Sequence, residues 1–242
     1  MIAVSGVLIA VNLSAKLSFG HKNPHAELPL RRIVTSLGQA LRHVVRVSRQ
    51  LDNEHFRKQA VLRLKRQHDE LQLLAQGKLV FDSTETWRSV YEEVLSACTL
   101  KRYLSVALVR TEEYWCGTPG ERSIRFNALL VDDGFSVHRI LIVDDFLWPP
   151  KATVPSKQLY SWMLSQFSKG IQIGLVRISQ LTSESDLLVD FGIYGDTAVG
   201  YQVTDDVGQT VRYEMLFGAP QVQVAEDRWK RLSLYAHPLE SI

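Results

Sequence analysis

The chain opens on an uncharged, mostly apolar run from Met1 to Ala15, and its hydrophobic pattern then changes twice. From Leu30 to Gln76 there is no proline and a single glycine, Gly38. Apolar residues recur there at Ile33, Leu37, Ala40, Val44, Val47 and Leu51. Alternating steps of four and three are the a/d spacing of a coiled-coil seam. The phase breaks across Asp52 to Gln59 and resumes at Val61, Leu64, His68, Leu71 and Ala75. The pattern predicts one long helix, or two helices joined at a stutter, closed by Gly77.

From Lys78 onward the period shortens and alternates. Asp82-Ser83-Thr84 offers an N-cap before a helix reaching about Cys98, with Trp87, Val90, Tyr91, Val94 and Leu95 on one face. Tyr103 to Val109 reads as a buried strand, Glu121 to Val131 as a helix, and His138 to Val143 (HRILIV) as a second strand. Lys157 to Lys169 reads as a helix stopped by Gly170, and Ile171 to Ile178 as a third strand. Leu187 to Tyr194, Val199 to Thr204 and Thr210 to Phe217 read as further strands, before a closing helix over Val222 to Tyr235. Strand and helix alternate in the first half, and the second half is hairpin-rich. The expected fold class is therefore α/β, a mixed sheet with helices on both faces, preceded by a long helical stalk. Three regions follow: an apolar segment over 1–19, a basic helical stalk over 20–77 and an α/β domain over 78–242.

Composition changes this picture in one respect. The fractions of apolar (45%) and charged (22%) residues are those of an ordinary globular protein. The net charge of +2 is unevenly spread: up to Gln76 there are 12 Lys and Arg against 5 Asp and Glu, and the remainder holds 16 against 21. A basic stalk suits an anionic partner such as a membrane surface, or is simply a solvated helix face. Its arginines flank the seam without interleaved aromatics, so no nucleic acid is expected as a partner. The seam itself is expected to pair the chain as a homodimer. Residues 1–19 read as a membrane anchor, with a buried core element as the alternative. The first positive charges, Lys16 and Lys22, follow the run, which would leave the rest of the chain cytoplasmic. Cys98 and Cys116 sit in no Cys-x-x-Cys or Cys/His cluster, so no zinc is expected and a reducing compartment fits.

Two resemblances bear on chemistry. HRILIVDDF followed by DLLVDFGIYGD resembles the acidic pocket of response-regulator receiver domains, which would make Asp144 and Asp145 a metal-binding pair and Asp190 the phospho-acceptor. The same three carboxylates could serve a metal-dependent phosphoesterase or nuclease. A second resemblance covers Thr84 to Leu239. A helix opening at Trp87, a strand, a loop with Trp115, a helix, the RILIV strand, a helix ending in Gly-Ile, the LLVDFGIYGD hairpin and a last helix with Trp-Lys-Arg follow in order. That order is similar to one half of the phospholipase-D-like fold. The family's chemistry needs a His-x-Lys motif, the imidazole attacking phosphorus and the ammonium holding phosphate oxygens. Here His138 is followed by Arg139-Ile140 and His237 by Pro238-Leu239, and no His-x-Lys exists. The resemblance implies a non-catalytic, sensor-type relative with no cofactor. Phosphate-cradling Gly-rich motifs, GxSxG and HExxH are also absent. The strand ends carry Arg110, Glu112, Glu113, Trp115, Asp144, Asp145, Trp148 and Arg177, the expected site for a small polar ligand or a protein partner.

Overall fold

The structure, a computed structural model, describes residues 24–112, 118–204 and 210–242. The apolar segment expected to anchor the chain therefore lies outside the described residues, and so do Glu113, Trp115 and Cys116. Among the described residues no helix is long and apolar enough to cross a membrane. The chain divides into two compact units, 1–67 and 68–242.

The basic segment forms two helices, α1 (Pro24–Gln50) and α2 (Glu54–Ala75). The break falls where the heptad phase is lost. Asn53 Oδ1 accepts from the amide of Phe56 at 3.0 Å, capping the new helix. Leu30, Ile33, Val34, Leu41 and Val45 on α1 are all exposed apolar side chains.

The second unit is built on an eight-stranded sheet. In chain order its elements are β1 (Lys78–Phe81), α3 (Thr84–Ala97), β2 (Arg102–Val109), α4 (Thr118–Asp132), β3 (Ser136–Val143), α5 (Lys157–Phe167), β4 (Gln172–Arg177), β5 (Asp190–Tyr194), β6 (Ala198–Thr204), β7 (Thr210–Phe217), α6 (Ala219–Ser233) and β8 (His237–Pro238). The strand order is β1-β7-β6-β5-β2-β3-β4-β8. β2, β3 and β4 are parallel, and all other pairings are antiparallel. This is the mixed α/β sheet that the pattern predicts.

Local chemistry explains the joints. Ser83 caps α3 through a hydrogen bond from the Thr86 amide to its Oγ. Helices α4 and α5 both end on a glycine with positive φ, Gly134 and Gly170 at 82° each, followed by a buried apolar residue, Phe135 and Ile171. A left-handed glycine turns the chain back so that the next strand starts beneath its own helix.

Alternation along the strands separates two cores. Tyr103, Ala107 and Val109 of β2 face one side with Val137, Leu141 and Val143 of β3, covered by Tyr91 and Leu95 of α3, Leu130 of α4 and Leu159 and Met163 of α5. Leu104, Val106, Ile140 and Ile142 face the other side, covered by Val222, Ala225 and Leu232 of α6. Each fully buried aliphatic side chain, such as Leu141, contributes roughly 1.5–3 kcal/mol. Among the described residues four charged or amide side chains are buried on this side: Arg88, Asn127, Arg139 and Gln166, at 5%, 0%, 4% and 1% exposure.

Candidate functional site

Strand register builds a row across the α3/α4/α5 face. Ser105 on β2 stands opposite Arg139 on β3 and opposite Gly192 on β5, and Gly192 stands opposite Gly200 on β6. Four adjacent strands thus present Arg139, Ser105, Gly192 and Gly200 side by side, at the usual strand spacing of about 4.8 Å. The two glycines leave a trough, and the ring of Tyr194 folds into it. A Cβ at Gly192 would stand 3.1 Å from Tyr194 Cε1, and one at Gly200 would collide with the Tyr194 hydroxyl. Glycine inside a strand marks such close approach.

The next row holds Asp190, Gln202 and Tyr213, which are register partners across β5, β6 and β7. Asp190 Oδ2 accepts from the Leu108 amide at 3.4 Å. Gln202 Nε2 donates to Thr210 Oγ1 at 2.6 Å, and the hydroxyls of Thr84 and Tyr213 are bonded at 2.9 Å. Aromatic rings close the wall: Trp87 stacks on Tyr213 at 4.5 Å between centroids, and Tyr91 stacks on Tyr194 at 5.8 Å. These residues enclose a cavity of about 400 Å³ lined by Trp87, Tyr103, Ser105, Arg139, Asp190, Tyr194, Gln202 and Tyr213 among others.

Polar groups are concentrated here. Arg139 Nε donates to Ser105 Oγ at 3.0 Å and its Nη1 donates to Gln166 Oε1. A guanidinium taken out of water must be met by acceptors, and these are on the neighbouring strand and on α5. Two donors in the wall, the Tyr194 hydroxyl and Trp87 Nε1, are buried without a partner among the described residues. Burial pushes the Tyr194 hydroxyl well above the usual tyrosine range, with Tyr103, Tyr91 and the Asp190 carboxylate adding to the shift. Tyr103 is also raised by burial, opposed by Arg139 and reinforced by Asp190. Both stay protonated at neutral pH and can donate.

The sequence-derived site is mostly dispersed. Asp144 Oδ1 accepts from the Phe146 amide at 2.9 Å, closing its own turn, and Asp145 Oδ1 accepts from Ser179 Oγ at 2.8 Å. Asp190 opens β5 instead of ending a strand, and β2 lies between β5 and β3. Two strand spacings, on the order of 10 Å, separate it laterally from β3, which the other two follow. The three carboxylates are not brought together, and among the described residues no three His, Cys, Asp or Glu side chains group as metal ligands.

Trp148 is 2% exposed and forms part of the core. Arg177 lies over its ring at 3.8 Å and donates to the carbonyls of Trp148 and Ala152 at 3.2 and 2.8 Å. That pair holds the Pro149–Ala152 turn. Glu112 sits half-buried in the turn after β2, and Arg110 is exposed there. Of the sequence-derived residues among those described, Asp190 alone lines the polar cavity. Arg139 and the glycine pair were missed, although a charge inside HRILIV and two glycines inside strands are signals of a special environment.

No family model and no curated protein matches the chain. Among solved structures it is similar to TrmBL2, an archaeal chromatin protein, with a TM-score of 0.43 and 11% identity, covering 88% of this chain and 70% of that one. It is also similar to NucT from Helicobacter pylori, with a TM-score of 0.47 and 9% identity over 66% of this chain and 98% of that one. A third is phosphatidylserine synthase from Haemophilus influenzae, with a TM-score of 0.43 and 13% identity over 63% of this chain and 36% of that one. Likenesses this distant assign neither a family nor an activity.

Proposed function

We propose that residues 78–242 form a non-catalytic, phospholipase-D-like half-domain that binds a small polar molecule in the cavity beneath Trp87 and Tyr194, as the sensory part of a regulatory protein. One observation carries the reading: two buried donors, the Tyr194 hydroxyl and Trp87 Nε1, line the cavity with no acceptor among the described residues. A buried donor left unmade costs about 1–3 kcal/mol, a deficit that a bound acceptor removes. The ligand class is a compact molecule with several acceptors and a flat or apolar face for the aromatic wall. The non-catalytic part of the reading is supported by the residues two apart on the cavity strands, Tyr103 and Ser105, Asp190 and Gly192, Gly200 and Gln202, none of which supplies an imidazole or an ammonium.

A thermal-shift panel of sugar phosphates, nucleoside monophosphates and dicarboxylates tests it. A ligand at one hundred times its Kd stabilises by roughly 2.7 kcal/mol, a clear rise in midpoint. The expected result is at least one stabilising compound whose affinity falls about three- to tenfold in Tyr194→Phe, the loss of one hydrogen bond. A panel in which nothing raises the midpoint overturns the reading.

The proposed output is pairing of the helical segment with a second copy. Leu30 and Ile33 of α1 are 63% and 62% exposed, an apolar stripe that water does not favour. Sedimentation velocity of the full chain should show a dimer whose population responds to the stabilising compound. A monomer at micromolar concentration, with or without it, rejects this output.

A further inference from the structure

A second cavity, of about 580 Å³, lies on the opposite face of the same sheet, beside α6. Its floor is largely apolar, Leu108 of β2, Tyr201 and Val203 of β6 and Leu216 of β7, with Glu214 of β7 opposite Tyr201. Val224 and Arg228 of α6 form one wall, and Arg110, just past β2, stands at the rim. The volume lies in the range of small-molecule sites, roughly 300–1,000 Å³.

Its charges are uneven. Two carboxylates, Glu214 and Asp190, also line the cavity. Glu214 is ion-paired with Lys78 at 2.7 Å and Arg212 at 2.8 Å. Asp190 belongs to the face of the polar cavity and accepts the Leu108 amide. Among the described residues neither guanidinium forms a salt bridge; Arg228 acts on the Asp186 carboxylate at longer range, and Arg231 is that carboxylate's bonded cation. Arg228 lies 5.9 Å over the Phe191 ring, and Arg110 has no ion pair among the described residues. The cavity thus combines a largely apolar floor with two arginines that form no salt bridge among the described residues. Val224, 58% exposed, keeps it open to solvent.

We infer that this cavity binds a small amphipathic carboxylate, with its hydrocarbon body against Leu108, Val203 and Leu216 and its anionic head between Arg110 and Arg228. Apolar contact supplies affinity in proportion to the area removed from water. The guanidiniums supply orientation, because each can donate two parallel hydrogen bonds to one carboxylate. The inference goes beyond the polar-cavity reading and does not depend on it: the two linings share Thr111, Asp190 and Gln202, but the hydrocarbon and anion contacts named here lie in the second cavity alone.

Isothermal titration of the full chain with decanoate tests it, with decanol as the uncharged control and phosphatidylglycerol vesicles as the bilayer control. Decanoate is expected to saturate one site, and decanol to bind at least about tenfold more weakly, as loss of a charged hydrogen-bonded pair implies. Arg110→Met and Arg228→Met should each weaken decanoate by a similar factor. Val224→Glu, a surface change that brings a carboxylate to the wall, should abolish binding at an unchanged thermal midpoint. Tyr194→Phe should leave decanoate binding intact, which keeps this result separate from that of the polar cavity. No saturable decanoate binding, equal binding of decanol, full binding in Val224→Glu, or binding to vesicles without binding of free decanoate each overturns the inference.

Discussion

At the residue scale the protein is decided by what lies above its strand glycines. Gly200 has room for Tyr194 and for nothing else, so Gly200→Ala is expected to destabilise by about 1–3 kcal/mol, as overpacking does, measurable by urea unfolding. Tyr194→Phe removes a hydroxyl that has no partner among the described residues, and in the absence of ligand it is expected to leave stability unchanged or raise it by up to about 1 kcal/mol. A marked loss of stability there would mean that the hydroxyl is bonded within the protein. Arg139 shows how far a single chain can be read. A cation within HRILIV signals an unusual environment, but Ser105 and Gln166, its acceptors, lie 34 and 27 residues away. Trp148 and Arg177 show the converse. Their place at strand ends suggests a ligand, whereas stacking at 3.8 Å occupies both with each other.

At the scale of elements the periodicity was a sound guide to type and a weaker one to edges. β2 and β3 each begin earlier than their apolar cores, at Arg102 and Ser136, because the ladder recruits polar residues that periodicity ignores. Two short strands escaped the pattern. β1 has four residues and pairs with β7, and β8 has two and pairs with β4. Strands this short carry almost no periodic signal of their own and exist because a partner edge is present. Helix starts are the opposite case, since a cap is local chemistry. Ser83→Ala is expected to cost about 1 kcal/mol by removing the acceptor of the Thr86 amide, read as a lower midpoint in thermal unfolding. A loss below about 0.3 kcal/mol would show that the cap is replaced by solvent.

At the scale of the whole molecule the buried tyrosines set an alkaline limit. Tyr91, Tyr103 and Tyr194 all have hydroxyls raised above the ordinary value of 10.0, chiefly by burial. A raised folded pKa means that their contribution is complete below the unfolded value and is lost as pH climbs above it. The protein should therefore hold its fold up to about pH 10 and unfold cooperatively above it. Tyrosinate absorbance of these residues should appear together with loss of helical circular dichroism. Titration of all eight tyrosines before any unfolding would contradict this. The amino-acid sequence by itself determined the α/β class and the lack of a His-x-Lys pair, and left open whether one helix or two precede Lys78, because alternation, helical period and motif spacing are properties of neighbouring residues. Only the tertiary structure decided which polar groups share a cavity. Arg139, Ser105, Gly192 and Gly200 come from four different strands, and it is the register between strands, fixed by packing across the sheet, that sets them in one row.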